Sequence, residues 1–338
     1  MSNQTGAPSL DLFFETVNAY QRTAVLQAAV NLELFTAIAE GADTADAAAK
    51  RCRASQKGIR VLCDSLTIFG FLTKNNGSYA LTADSALFLD KRSPAYVGGT
   101  LEFLLDNALM ENFKDLASVV RKGGPVIHEQ GTVEPEHPVW VKFARGMAPL
   151  MAMPSEILSG LLVAGAKENW KVMDIAAGHG LYGIAIAKQN PNAHIYAVDW
   201  AAVLAVAEEN AVAAGIKDRF HKMAGSAFDV EFGSDFDLIL LPNFLHHFDV
   251  ATNTKLLQKV HMALKPGGRV AILEFVPNED RVSPALPAMF SLMMLGGTPS
   301  GDAYTFSQLE SMLKDAGFKD SSMHPMAPTM FTAVVAGK

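Results

Sequence analysis

Two adjacent histidines, His246 and His247, follow the apolar run FDLILLPNFL, and Glu274 closes another, RVAILEF. An imidazole, with an ordinary pKa of about 6.5, can take a proton from a phenol of pKa about 10 while a new bond forms to the oxygen. A carboxylate at the other ring nitrogen would fix the tautomer that does this. His246, His247 and Glu274 are therefore the candidate catalytic residues. Neighbouring side chains of an extended strand point to opposite sides, so one histidine of the pair is expected to face a ligand. No third ligand at suitable spacing accompanies the pair, and no metal is expected. Only Cys52 and Cys63 occur among 338 residues, which leaves neither a cysteine zinc site nor a disulfide scaffold.

A second group of residues reads as a holder for an adenosine-containing cofactor. VMDIAAGHGLYGIAIAK, from Val172 to Lys188, joins an apolar strand to a glycine turn and a helix start, and the next apolar run ends in AVDW at Asp199 and Trp200. Gly178, Gly180 and Gly183 match G-x-G-x-x-G, the dinucleotide pattern, so an NAD-dependent oxidoreductase is one reading. Asp174 argues against it, because a pyrophosphate at the turn would sit beside a carboxylate. S-adenosylmethionine has no phosphate and carries a positive sulfonium and amino group, so it tolerates or exploits an acid there. On this reading Asp174, Gly178 and Gly180 hold the methionine end, Asp199 the ribose, and Ser226 and Phe228 the adenine surroundings. Ala176, Trp200, Ala227, Pro242 and Asn243 complete the expected cofactor contacts.

These residues must be positioned by alternating strands and helices. The pattern predicts strands at 172–176, 194–199, 219–223, 236–241 and 268–275, with helices to about 189, at 201–214 and at 251–264. That alternation specifies a parallel sheet with helices on both faces, an α/β fold that binds ligands beyond the carboxyl ends of its strands. A helix at 306–316 and two strands near 319–325 and 330–336 end the chain as an antiparallel hairpin. Between them PALPAMFSLMMLGG, with Met289, Phe290, Leu292, Met293 and Met294, reads either as plain core or as an adaptable wall for a flat substrate.

The N-terminal third differs. Apolar residues at helical spacing from Leu10 to Glu40 predict two or more helices, stopped at Gly41. A capped helix then starts at Thr44, a second ends at Gly70, and LTKNNGSYALT turns back at Asn76-Gly77. Two helices and a two-stranded wing make a winged helix. Its second helix offers Lys57 and Arg60 but is otherwise core-building, so DNA binding is disfavoured. A winged-helix regulator sensing a metabolite stands as the alternative from another function class. Residues 96–160 read as a helical bridge between an N-terminal domain, 1–95, and the cofactor domain, 161–338. A net charge of −7 argues against phosphate-backbone binding. The first residues lack a signal peptide's basic start and apolar core, and no run is long enough to span a bilayer, which makes the cytoplasm the expected compartment.

Taken together, the ELF helix, the GFL and GSYALT wing, MDIAAGHG, LLPNFLHHFD, ALKPGGRVAILEFVP and FSQLESMLKDAGF resemble the plant-type small-molecule O-methyltransferases and their bacterial relatives. The cradle and KPGG motifs alone are shared by many methyltransferases; their combination with this N-terminal domain is specific. The resemblance implies a Rossmann-like methyltransferase sheet with an antiparallel C-terminal strand. It also implies a mostly helical winged-helix dimerisation domain, an intertwined homodimer, and a small, aromatic or polyketide-like hydroxyl acceptor. It assigns the base to His246 and its support to Glu274; C-, N- or S-methylation could use the same base. The sequence departs from the family at Ser226 and Pro242, where an acid and a lysine are usual, and at Ala303, where a further acid falls and Asp302 is its neighbour.

Overall fold

The computed structural model describes residues 8–163 and 166–338, so most of the segment read for a signal peptide, residues 1–7, lies outside it. Contacts divide the chain into two units, Met1–Leu101 and Glu102–Lys338.

In the first unit, α1 (Asp11–Val17), α2 (Ala19–Asn31), α3 (Leu34–Ala39), α4 (Ala45–Arg51) and α5 (Gln56–Ile68) precede strands β1 (Leu72–Asn75) and β2 (Ser78–Leu81) and helix α6 (Ala83–Phe88). The Thr44 hydroxyl accepts from the Ala47 amide and so caps α4 as its sequence predicts. Asn76 and Gly77 both take positive φ, the conformation a two-residue hairpin needs, and β1 pairs antiparallel with β2 around them. Leu34, Phe35, Ile59, Cys63 and Leu66 pack with Leu72 and Tyr79 into one core. Arg60 and Lys74 are both tied to Asp64, at 2.9 and 2.6 Å. One cation of α5 and one of the wing are thus already engaged.

The segment read as a helical bridge begins with short helices, α7 (Leu101–Leu104), α8 (Asn107–Met110) and α9 (Leu116–Lys122), the last two separated by a 3₁₀ segment, Glu111–Asp115. Asp106 and Asp115 explain the breaks, because their side chains accept from the amides of Ala108 and Ser118 and restart the helix twice. Helices α10 (Val139–Gly146) and α11 (Ala148–Val163) follow. Strands β3 (Lys171–Ile175), β4 (His194–Asp199), β5 (Phe220–Ala224), β6 (Phe236–Pro242) and β7 (Leu264–Glu274) then alternate with α12 (Leu181–Gln189), α13 (Ala201–Ala213) and α14 (Val250–Ala263). Helices α15 (Ala285–Gly297) and α16 (Phe306–Asp315) precede β8 (Lys319–Pro325) and β9 (Thr332–Gly337).

The sheet order is β5-β4-β3-β6-β7-β9-β8, with β3 to β7 parallel and β9 antiparallel to both of its neighbours. Strand β7 starts earlier than the sequence predicts, because Leu264 already pairs with Phe236 before a register shift. Successive strand residues feed two separate cores. Val172, Ile195, Leu238 and Ala271 pack with α11, α12 and α13 on one face, whereas Met173, Val198, Ile239 and Val270 pack with α14 and α16 on the other. Burial on both faces is why these strands are apolar without alternation. No single described helix is long and apolar enough to cross a membrane.

Candidate active site

Beyond the carboxyl ends of β3, β4, β6 and β7 lies a cavity of about 790 Å³, within the range of roughly 300–1,000 Å³ usual for small-molecule sites. It is built entirely from the second unit. The order change between β3, which pairs with β4 on one side and β6 on the other, opens the crevice in which open sheets bind ligands.

One end of the cavity is shaped by backbone. The Asp199 carboxylate, at the tip of β4, accepts from the Gly178 amide at 2.8 Å and from the Trp200 amide at 2.7 Å. Burial raises its carboxyl to about 6, against the lowering effect of those two amides. Gly178 has φ +57, and a Cβ there would lie 3.2 Å from the Phe143 ring. Ala176 and Asn243, at the ends of neighbouring strands, also take left-handed conformations, the kind of local strain that collects at functional sites. Ala176, Gly178, Asp199, Trp200, Ser226, Ala227, Phe228, Pro242 and Asn243, which the sequence offers as cofactor contacts, all line the cavity.

Asp174 and Gly180 do not line it. Asp174 is fully buried, and its Oδ2 accepts from the Gly183 amide at 3.0 Å, so it anchors the first turn of α12 from beneath. Burial pushes its carboxyl up to about 8, and Oδ1 has no hydrogen-bond partner among the described residues. Gly180 and Gly183 serve packing: a Cβ would lie 3.0 Å from Ala207 Cβ at the first and 2.5 Å from Ile195 Cγ2 at the second. The turn therefore approaches α13, and the helix start β4, only because these side chains are missing.

At the tip of β6 the two histidines sit in a 3₁₀ turn, Leu245–His247, and not in extended chain, so both reach the cavity wall. That corrects the expectation that only one would. His246 Nδ1 lies 2.5 Å from Glu274 Oε2, and Glu274 Oε1 accepts from the amides of Phe244 and His246 at 3.1 and 3.3 Å. A carboxylate already accepting two backbone N–H groups is an acceptor for the ring as well, so His246 carries its proton on Nδ1. His247 has no such partner; its Nδ1 is buried and unpaired among the described residues. Burial first, and then the neighbouring His246, hold its imidazole well below the usual value. Asp302 is engaged elsewhere, with Arg281 at 3.0 Å, and Ala303 is fully buried. Glu274 is thus the acid that orients His246.

The rest of the cavity is lined by rings, of which sequence reasoning named only Phe290, and Phe143 reaches back to the turn at Gly178. Phe103 from α7 and Trp140 and Phe143 from α10 form one wall, and Phe275 stacks on Phe290 of α15 at 3.8 Å to form another. Phe290 meets the His246 ring edge to face at 4.8 Å. Met293 and Met294 also line the cavity, whereas Met289 and Leu292 are exposed, so one side of α15 faces the cavity. The available signal was Trp140 and Phe143 spaced three apart, which places both on one helix face. The lining includes the carboxylates Asp199 and Asp229 but no lysine or arginine among the described residues. A pyrophosphate would meet two acids and no cation here, whereas a ligand with a positive centre and hydroxyls fits. The Asn243 Oδ1, buried and unpaired beside this wall, is a further acceptor for such a ligand.

Comparison with known proteins agrees with this geometry. The O-methyltransferase domain model matches residues 134–319, and the O-methyltransferase dimerisation domain model matches residues 14–91. The 3-hydroxy-5-methyl-1-naphthoate 3-O-methyltransferase of Streptomyces sahachiroi is 28% identical over 94% of this chain and 91% of its own. The tetracenomycin polyketide synthesis 8-O-methyl transferase of Streptomyces glaucescens is 27% identical over 89% of each. Among solved structures, a candidate O-methyltransferase of Nostoc punctiforme is 51% identical, covers 98% of this chain and 100% of its own, and superposes with a TM-score of 0.94.

Proposed function

Because the chain belongs to the S-adenosylmethionine-dependent O-methyltransferase family, we propose that it methylates a hydroxyl of a small, flat, uncharged aromatic acceptor with His246 as general base. The observation that carries the assignment is the His246–Glu274 pair, with His246 lining the same ring-rich cavity as Asp199 and Gly178. When bound, S-adenosylmethionine supplies an electrophilic methyl group on a positively charged sulfur. Asp199 would accept from the ribose hydroxyls, Gly178 and Ala176 would leave room for the methionine end, and Ser226, Ala227 and Phe228 would border the adenine.

His246 then receives the acceptor's proton on Nε2 while Glu274 holds Nδ1–H, so the ring keeps one orientation as it becomes charged. Phe275, Phe290 and Trp140 clamp a planar acceptor and exclude water, and in-line displacement gains most from such fixed geometry. Two acids and no cation in the lining would leave an acceptor carboxylate unpaired, hence the uncharged class. One relative is named for polyketide synthesis and another for a hydroxynaphthoate; that naphthoate carries a carboxylate, so the uncharged class rests on the lining of this cavity and not on the relatives. A screen of neutral phenols with isotope-labelled methyl donor, beside calorimetry with S-adenosylhomocysteine, tests the reading. Labelled methyl ether and heat of binding are expected; no heat with the thioether product would overturn it.

The same reading extends to assembly as a homodimer through the N-terminal helices. Leu10, Leu12, Phe13, Phe14, Val17 and Tyr20 of this region are exposed, a continuous apolar stretch of a kind that monomers rarely present. Sedimentation equilibrium should return twice the chain mass, and a monomer would refute it.

A further inference from the structure

His246 and His247 present opposite hydrogen-bonding faces to one cavity. Their ring centroids are 4.2 Å apart and both rings line the acceptor end. His246 is protonated on Nδ1 against Glu274, so its Nε2 offers a lone pair. His247 is the reverse. Its surroundings are rings, with Trp140 at 5.1 Å, Phe248 at 6.1 Å and Phe244 at 6.4 Å, and its buried Nδ1 meets no acceptor among the described residues. An orphaned N–H in such a place is rarer and costlier than an orphaned lone pair. The single proton of this neutral imidazole therefore belongs on Nε2, the nitrogen left for a ligand.

We infer that His247 is a specificity-determining residue that donates from Nε2 to a second oxygen of the acceptor, placed ortho or peri to the hydroxyl that His246 deprotonates. The substrate class is then a hydroxyaryl ketone, a hydroxyquinone or an ortho-diphenol, and not an isolated phenol. The inference rests on the reading of His246 as the base. Two rings at this spacing, one accepting and one donating, match a hydroxyl beside a carbonyl and leave the carbonyl's partner in place throughout the transfer. A site built to pair a substrate oxygen discriminates strongly against the analogue that lacks it, since its own buried donor is otherwise left unpaired.

The test compares isomers that differ only in where the second oxygen lies: ortho- against para-hydroxyacetophenone, and the alpha against the beta isomer of hydroxyanthraquinone. The ortho or alpha member should have the higher kcat/KM, by roughly tenfold, about what one uncharged hydrogen bond supplies. His247→Phe should remove that ratio and His247→Gln, which keeps an N–H donor, should restore part of it, with S-adenosylhomocysteine binding confirming that each variant is folded. A preference for the isolated hydroxyl, no methylation of any ortho or alpha member, or a ratio that survives His247→Phe overturns the inference. If His247→Phe instead slows both isomers equally, the residue serves the reacting oxygen and the inference is wrong. His246→Ala separates the two ideas: it should slow both isomers alike, and full activity there would remove the base while the isomer ratio still judges His247.

Discussion

The two ends of the cavity are made from different materials. At the donor end the chain presents strand tips, left-handed turns and amides, with Asp199 fixed by the N–H groups of Gly178 and Trp200. At the acceptor end it presents rings from α7, α10 and α15, elements with no place in the sheet. Backbone geometry recognises one ligand and resists change; a wall of side chains can be rebuilt without touching the sheet. The fold thus keeps its methyl donor constant and leaves the acceptor free to vary.

His246 stands at the boundary, and removing it should have the largest effect. His246→Ala should lower kcat by roughly 10²- to 10⁴-fold while the Kd for S-adenosylhomocysteine, measured by calorimetry, stays within error. A matching loss of cofactor affinity would merge the two ends into one. Asp199→Asn probes the donor end alone: Kd for the thioether product should rise by roughly 10- to 100-fold, the worth of hydrogen bonds to a charged group, with acceptor KM little changed.

The same residue sets a pH dependence. Only ionised Asp199 accepts from two ribose hydroxyls as well as two amides, and burial holds its carboxyl at about 6 in the free protein. Affinity should therefore be constant above that pH and weaken by about tenfold per unit below it, a slope absent in Asp199→Asn. The smallest change is expected at the acceptor end, where Trp140→Ala should raise acceptor KM by roughly tenfold and leave donor binding intact, since it removes one face of the clamp. Donor affinity falling with it would show that the aromatic wall is not independent of the cradle.

The donor end was legible in the sequence because its signals are local. A strand, a glycine turn and an acid at the next strand tip lie in order along the chain, and the same locality made the Thr44 cap and the Asn76-Gly77 hairpin readable. Where locality fails, reading fails. Asp174 sits in the correct motif, yet only the three-dimensional path shows it buried beneath α12 and serving the Gly183 amide. His246 and His247 were expected to diverge, and a 3₁₀ turn brought both to the wall. Beyond Phe290 the aromatic wall was illegible because rings drawn from three separate elements gather only after packing, and Asp106 and Asp115 break a helical pattern through side-chain hydrogen bonds that compete with helix propensity.

The carboxylate behind His246 bears finally on how a dry chamber tolerates turnover. With the methyl donor bound, its sulfonium would place one positive charge beside the acceptor; after transfer that charge would rest on the His246 ring, clasped by Glu274. The count of charges facing the rings never changes, so Phe275, Phe290 and Trp140 do not have to accommodate a newly created ion at any point along the reaction. What remains is an electrical reset. The imidazolium must hand its proton to water before the next acceptor can be deprotonated, so solvent reaching His246 after transfer is as much a part of the cycle as its exclusion during transfer.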